Sequence, residues 1–167
     1  MNNSIVREYT NVDFSNVVDL MTSLQSYFKE IDTSGEKINF ENRQSAEEYI
    51  RKALKDVEEM NGKIFVAEFE NKIVGFIEGV IIGHRDDDLY NLTHMKNIGG
   101  WIGLLFVDTS FRSKGIAQSL IGKMREYFKK NNCSSMKLKV DSENKLAINV
   151  YIKYGFTPRD LEMTVRI

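Results

Sequence analysis

The stretch "FRSKGIAQSL", Phe111 to Leu120, follows the apolar run "WIGLLFV" (residues 101–107) and opens a segment in which Ile116, Leu120, Met124 and Phe128 recur every fourth residue. That spacing predicts a helix from about Lys114 to Asn131. A buried strand, a short polar loop and a helix start leave the first helical N–H groups unpaired at the positive end of the helix dipole, which suits an anion. Gly115 lets a phosphate approach the backbone with no Cβ in the way. Ala117 keeps the next turn thin, Arg112 and Lys114 add positive charge, and Ser113 is placed either to cap the helix or to donate to an oxygen. The short pattern of Arg or Gln, Gly three on, and Gly or Ala two further arises by chance in about one chain in seven of this length. Its weight comes from its position between a buried strand and an amphipathic helix. Neither G-x-x-x-x-G-K-[ST] nor G-x-G-x-x-G occurs in the chain.

Outward from this junction the sequence reads as alternating strands and helices. Upstream, Ser4 to Tyr9 reads as a strand, and Asp13 to Lys29 carries Val17, Val18, Leu20, Met21, Leu24 and Phe28 at helical spacing. A second helix is expected from about Ser45 to Met60, stopped by Asn61-Gly62. "KIFVAEFE" and "KIVGFIEGVIIG" flank Asn71-Lys72 and predict an antiparallel hairpin. "WIGLLFV" is near-continuously apolar, as a strand buried on both faces would be. Downstream, "SMKLKV" predicts a strand, Asn144 to Tyr154 a short helix stopped at Gly155, and "LEMTVRI" a last strand. The fold class is therefore α/β or α+β. One mixed, mostly antiparallel sheet carries helices on both faces, in the order β-α-α-β-β-β-α-β-α-β.

The 167 residues suit one domain, expected to span 1–167. A composition of 42% hydrophobic and 28% charged residues is that of a globular protein, and a net charge of −1 offers nucleic acid or an anionic membrane no global attraction. The positive charge is local. Between Phe111 and Lys139 lie Arg112, Lys114, Lys123, Arg125, Lys129, Lys130, Lys137 and Lys139, against the single acid Glu126. This suits either a small polyanion or a solvated helix face. Cys133 is the only cysteine, so no internal disulfide forms. "MNNSIVREYT" lacks a signal-peptide core and no apolar run reaches membrane-spanning length, so the expected home is the cytoplasm.

A second signal lies in "ENKLAINVYIKYGFTPRD" (residues 143–160). With it the chain resembles the GNAT superfamily of N-acetyltransferases. "RSKGIA" matches that family's acetyl-CoA loop from Arg112 to Ala117. Asn144, Ala147, Tyr151, Gly155 and Phe156 match its later segment in register. The resemblance implies a fourth and fifth strand that splay apart, with the pantetheine arm of acetyl-CoA in the gap. Backbone groups of Leu105, Phe106 and Val107 would bond the pantetheine amides. The N–H groups of Ser113, Lys114, Gly115, Ile116 and Ala117 would hold the pyrophosphate, with Arg112 at the mouth. Asn144 would reach the pantetheine arm or, alternatively, cap the last helix.

The implied reaction moves an acetyl group from acetyl-CoA to a primary amine by direct attack in a ternary complex. It needs a neutral amine, a stabilised oxyanion and a proton for the leaving thiolate. Lysine-type amines titrate near 10.4, so a base must deprotonate the acceptor. Tyr151 is the family's general acid by position, with a role as a core tyrosine as the alternative, and Tyr154 is expected to pack on the sheet. A backbone N–H near Phe106 or Val107 would meet the oxyanion. Many relatives carry a base, Glu, on the fourth strand, but "GGWIGLLFV" has no acid. Glu78, inside the apolar third strand, is the candidate base, with a solvent-facing position on an alternating strand as the alternative. His84 and His94 could serve as base or be loop residues.

His84, Asp86, Asp87, Asp88 and His94 have no EF-hand or zinc-helix spacing, so no metal is expected. The acidic loop could instead attract a cationic amine. The acceptor class is a small-molecule or peptide amine. No nucleic-acid or membrane partner is expected, and homodimers are common in the resembling family. The alternative function is a non-catalytic acyl-CoA-binding regulatory module, which the missing fourth-strand acid favours and the Tyr151 register disfavours. A nucleic-acid-binding reading of the basic helix finds no stacking-aromatic motif to support it.

Overall fold

The computed structural model describes residues 4–31, 42–83 and 98–160. β1 (Ile5–Glu8) leads through a 3-10 turn (Asn11–Asp13) into α1 (Phe14–Ile31), and α2 (Arg43–Glu59) follows. β2 (Lys63–Phe69) and β3 (Lys72–Ile82) precede β4 (Gly99–Val107). A second 3-10 turn (Thr109–Phe111), α3 (Ile116–Lys130), β5 (Ser135–Leu138) and α4 (Lys145–Lys153) complete the order. This matches the sequence-based order through the last helix. The strand expected at "LEMTVRI" lies outside the described residues.

Local chemistry explains the boundaries. Asn42 accepts a hydrogen bond from the Ser45 N–H at 3.1 Å and starts α2. Glu70 and Asn71, at φ 48° and 62°, make the left-handed two-residue turn that a tight hairpin requires, one residue earlier than the sequence suggests. Gly115, at φ 79°, is the residue before α3, so the helix opens at Ile116 rather than Lys114. Gly155, at φ 86°, follows the end of α4.

The strands lie in the order β1-β2-β3-β4-β5. Neighbours are antiparallel except β4 and β5, which run parallel. On one face, Val17, Val18, Met21 and Leu24 of α1 and Ala46 and Ile50 of α2 pack on Val66, Phe76, Leu104 and Phe106. On the other, Ile116, Leu120, Ile121, Met124 and Phe128 of α3 pack on Phe65, Val74, Ile77, Ile102 and Val107. Burying each of the larger of these side chains contributes about 1.5–3 kcal/mol. The contact of α3 with the sheet is close. A Cβ on Gly100 would lie 2.3 Å from the Phe128 ring, and one on Gly79 would meet Phe128 at 2.8 Å and Met124 at 2.9 Å.

Two bulges exchange the faces along the strands. Ala67 pairs with Gly75 and Glu68 with Ile73, which leaves Val74 as an extra residue in β3. Glu78 pairs with Leu104 and Gly79 with Ile102, which leaves Gly103 extra in β4. Ile102 and Leu104, two residues apart, therefore belong to opposite cores. The expectation that "WIGLLFV" is buried on both faces holds for Ile102, Leu104, Phe106 and Val107. Trp101 and Leu105 are half-buried and Gly103 is exposed, because the bulge interrupts the regular pleat there.

Beyond the two cores, one polar cluster anchors the first strand. Both carboxylate oxygens of Asp13 accept from the Arg7 guanidinium at 2.8 Å, and Asp13 also takes the Thr10 N–H and hydroxyl. Arg7 Nε reaches Glu68 on β2 at 2.9 Å. Asp13 is 2% exposed, and the hydrogen bonds from Arg7 hold its carboxyl down at about 2.

Candidate functional site

β4 is paired differently along its length. Gly99–Ile102 bond both to β3 and, in parallel, to Ser135–Leu138 of β5. From Gly103 to Val107, among the described residues, β4 keeps β3 as its only strand partner. β5 ends at Leu138, so the sheet has a gap beside Leu105, Phe106 and Val107, where that edge of β4 has no strand partner among the described residues. Backbone N–H and C=O groups on such an edge can bond an extended amide-bearing ligand as a strand would.

The gap ends at the loop before α3. Asp108 bonds back to β3 through its N–H and accepts the Ser110 N–H at 2.9 Å, which starts the 3-10 turn. Ser113 and Gly115 then adopt left-handed conformations at φ 62° and 79°, on either side of Lys114. Alternation of this kind turns successive N–H groups toward one side. Among the described residues no side chain caps α3: its N-cap is Gly115, so of the two roles open to Ser113 the helix cap is not the one it takes. The first N–H groups of α3 are left for an external acceptor. Ile116, 1% exposed, pins the loop into the α3 core.

The loop cations point to two sides. Arg112 Nε donates to the Val107 carbonyl at 3.2 Å, and its guanidinium lies 4.9 Å from the Tyr27 ring and 5.8 Å from that of Phe106. The Tyr27 hydroxyl donates to Asn144 Oδ1 at 3.2 Å, and the same oxygen accepts the Ala147 N–H at 3.1 Å. Asn144 therefore caps α4 and is joined to α1, while its amide nitrogen retains two donors. Lys114 turns the other way, toward the Phe111 and Phe69 rings at 4.8 and 5.6 Å.

Glu78 lies on the α1/α2 face of β3, 6% exposed. That burial removes the solvent-facing alternative. A Cβ on Gly103 would lie 2.3 Å from Glu78 Oε2, so the bulge supplies the space that the carboxylate occupies. Burial pushes its pKa up to about 7, the charge of Asp56 adds to the rise, and backbone hydrogen bonds from Leu104 and Gly103 oppose it. A carboxyl of this kind exchanges a proton near neutrality. Tyr151 belongs to the margin of the α3 core, edge-on to Phe156 with ring centroids 5.6 Å apart, and burial pushes its phenol up to about 12. Tyr154 packs in the same cluster and its carbonyl accepts from Arg125.

Glu78 and Tyr151 thus belong to opposite faces of the sheet, while Arg112, Asn144 and the β4 end converge at the gap. Sequence reasoning missed Tyr27, whose only signal was an aromatic ring off the apolar stripe of α1. His84, His94, Asp86, Asp87 and Asp88 lie outside the described residues. Among the described residues no three His, Cys, Asp or Glu side chains come together as a metal site. No helix there is long and apolar enough to cross a membrane.

Comparison with known proteins bears on this arrangement. An uncharacterised N-acetyltransferase of Methanocaldococcus jannaschii is 31% identical over 143 residues, covering 86% of this chain and 58% of that protein. The chain thus spans less than two thirds of that relative's length. A transcriptional regulator from Bacillus halodurans shares the fold at TM-score 0.73 and 20% identity, over 98% of this chain and 99% of that one. An aminoglycoside N-acetyltransferase solved in complex with CoA shares it at TM-score 0.70 and 17% identity, over 98% and 94%. Residues 19–156 match the acetyltransferase (GNAT) family, and the chain belongs to that family.

Proposed function

We propose that residues 1–167 form one N-acetyltransferase domain that moves an acetyl group from acetyl-CoA to a primary amine in a ternary complex. The observation that carries this reading is the half-open β4, which ends at an uncapped helix N-terminus. The gap beside Leu105, Phe106 and Val107 fits a pantetheine arm, with Asn144 Nδ2 on its far side. The N–H groups of Ser113, Lys114, Gly115, Ile116 and Ala117 fit its pyrophosphate. The solved relative bound to CoA lends support through its shared fold.

Glu78 is the base. Near pH 7 about half of such carboxyls are ionised, and each can take a proton from the acceptor ammonium, directly or through one water. The amine nitrogen then attacks the thioester carbon, and a β4 N–H near Phe106 or Val107 holds the oxyanion. Collapse breaks the C–S bond, the thiolate takes its proton from Tyr151, and the second proton left on the acetylated nitrogen passes through solvent to restore the phenol. With its pKa near 12, Tyr151 keeps its proton until the sulfur departs. It therefore acts first as a hydrogen-bond donor, and Tyr151→Phe is expected to lower kcat about a hundredfold with little change in acetyl-CoA affinity. Wild-type kcat in that variant would remove Tyr151 from the reaction. The acceptor is a small-molecule or peptide amine.

Thermal unfolding with acetyl-CoA tests the whole reading. Binding to the folded state stabilises by about 2.7 kcal/mol at a hundredfold excess over Kd, so Tm should rise with concentration. A panel of amines read by free-thiol release should then give turnover. A Tm rise with no turnover on any amine would favour an acyl-CoA-binding regulatory module, and no Tm rise would overturn both.

A further inference from the structure

Beside the cradle the hairpin end of β2 and β3 presents a second cationic feature. Lys72, the first residue of β3, places its ammonium 5.7 Å from the Phe111 ring, and Lys114 approaches the same ring at 4.8 Å. Phe69 closes the group, 5.4 Å from Phe111 and 5.6 Å from the Lys114 ammonium. Among the described residues neither lysine meets a carboxylate, although ion pairs are plentiful elsewhere on this surface.

Two ammonium groups share one ring. Each contact with the ring is weak at an exposed site. Two cations gathered at one ring without a carboxylate among the described residues suit an anion of charge −2 that both side chains can reach. The rings also hold the two long side chains in place, which lowers the entropy lost when an anion binds.

We infer that Lys72 and Lys114, held over Phe111 and Phe69, form a subsite for the 3′-phosphate of CoA. The inference rests on the proposed cradle, because it takes the diphosphate to lie against the N–H groups of residues 113–117. In CoA the 3′-phosphate is attached to the ribose whose 5′ carbon carries that diphosphate, so the two anions are one furanose ring apart. Lys114 belongs to the cradle through its backbone and to the lysine pair through its side chain. Lys72 reaches the pair from a different strand. The pair thereby selects a 3′-phosphorylated nucleotide over its dephosphorylated form.

Titration calorimetry with CoA and with dephospho-CoA, on the wild type and on Lys72→Met and Lys72→Arg, tests this. The wild type is expected to bind CoA roughly tenfold more tightly than dephospho-CoA. In Lys72→Met the ratio should shrink to about threefold, with dephospho-CoA affinity unchanged, and Lys72→Arg should restore it. Equal wild-type affinity for the two ligands would overturn the subsite while leaving the cradle in place. Equal weakening of both ligands in Lys72→Met would also overturn it. Failure of the wild type to bind either ligand would overturn the cradle, and the subsite with it.

Discussion

Two buried carboxylates, Asp13 ahead of α1 and Glu78 within β3, have opposite fates. Asp13 is surrounded by donors: the Arg7 fork, the Thr10 N–H and the Thr10 hydroxyl. Glu78, almost as buried, receives two backbone N–H groups and, among the described residues, no cation at hydrogen-bonding distance, with Asp56 adding like charge. The first is held near 2 and the second near 7. Equal burial thus produces a fixed charge in one place and a proton-exchanging group in the other. The difference is made by what the neighbouring strand or turn offers. A guanidinium neutralises; a bulge with two amides only partly solvates.

Three substitutions would break or sharpen this contrast. Glu78→Gln should lower kcat/KM by about 10²–10⁴ and abolish an acid limb near pH 7 in the wild-type profile. A retained limb would show that another group is titrating. The same variant should be more stable than the wild type at pH 8. Unfolded Glu78 titrates near 4.5 and folded Glu78 near 7, so folding takes up a proton between those values and stability falls as pH rises through that window, by up to about 3 kcal/mol. Glutamine removes that dependence.

Asp13→Asn should destabilise by about 2 kcal/mol at pH 7, less than a fully buried pair would lose because the Arg7 side chain is 35% exposed. Here the sign is reversed. The depressed pKa contributes stability above the ordinary value of 3.8 that is lost as pH falls through about 2, so the two proteins should converge in acid. Denaturant midpoints across pH check this, and the activity profile should not move. The smallest effect is expected from Gly103→Ala. Its methyl group would displace Glu78 Oε2, lowering kcat roughly tenfold with acetyl-CoA KM within twofold. Unchanged kcat would mean that the position of the carboxylate is not critical.

Much of the frame was legible before the structure. Element order followed from helical spacing and turn residues, and the turn before α3 from the position of Gly115 after an apolar strand. Glu78 was harder to place. β3 is apolar on both faces, so no alternation reveals which way residue 78 points, and the bulges at Val74 and Gly103 reverse the faces along the way. A bulge depends on cross-strand register, which a single sequence does not display. Tyr27 and Lys72 were missed for a related reason. Each is unremarkable on its own element and acquires a role through a partner far away in the chain: Tyr27 through Asn144 and Arg112, Lys72 through Phe111. The start of α3 shifted by two residues because the Gly115 conformation that suits an anion is itself incompatible with the helix.

The seating of Phe128 on the bare backbone of Gly100 has a mechanical consequence. α3 carries the cradle at its first residue and this ring near its last turn. Fifteen residues of helix are about 22 Å long, so a tilt of about 5° at Phe128 would swing the opposite end by about 2 Å. The helix is a lever with its fulcrum at the far end of the sheet. A methyl group added at Gly100 would be felt first at the other end of α3, as a misaimed start of the helix where the proposed phosphate loop lies.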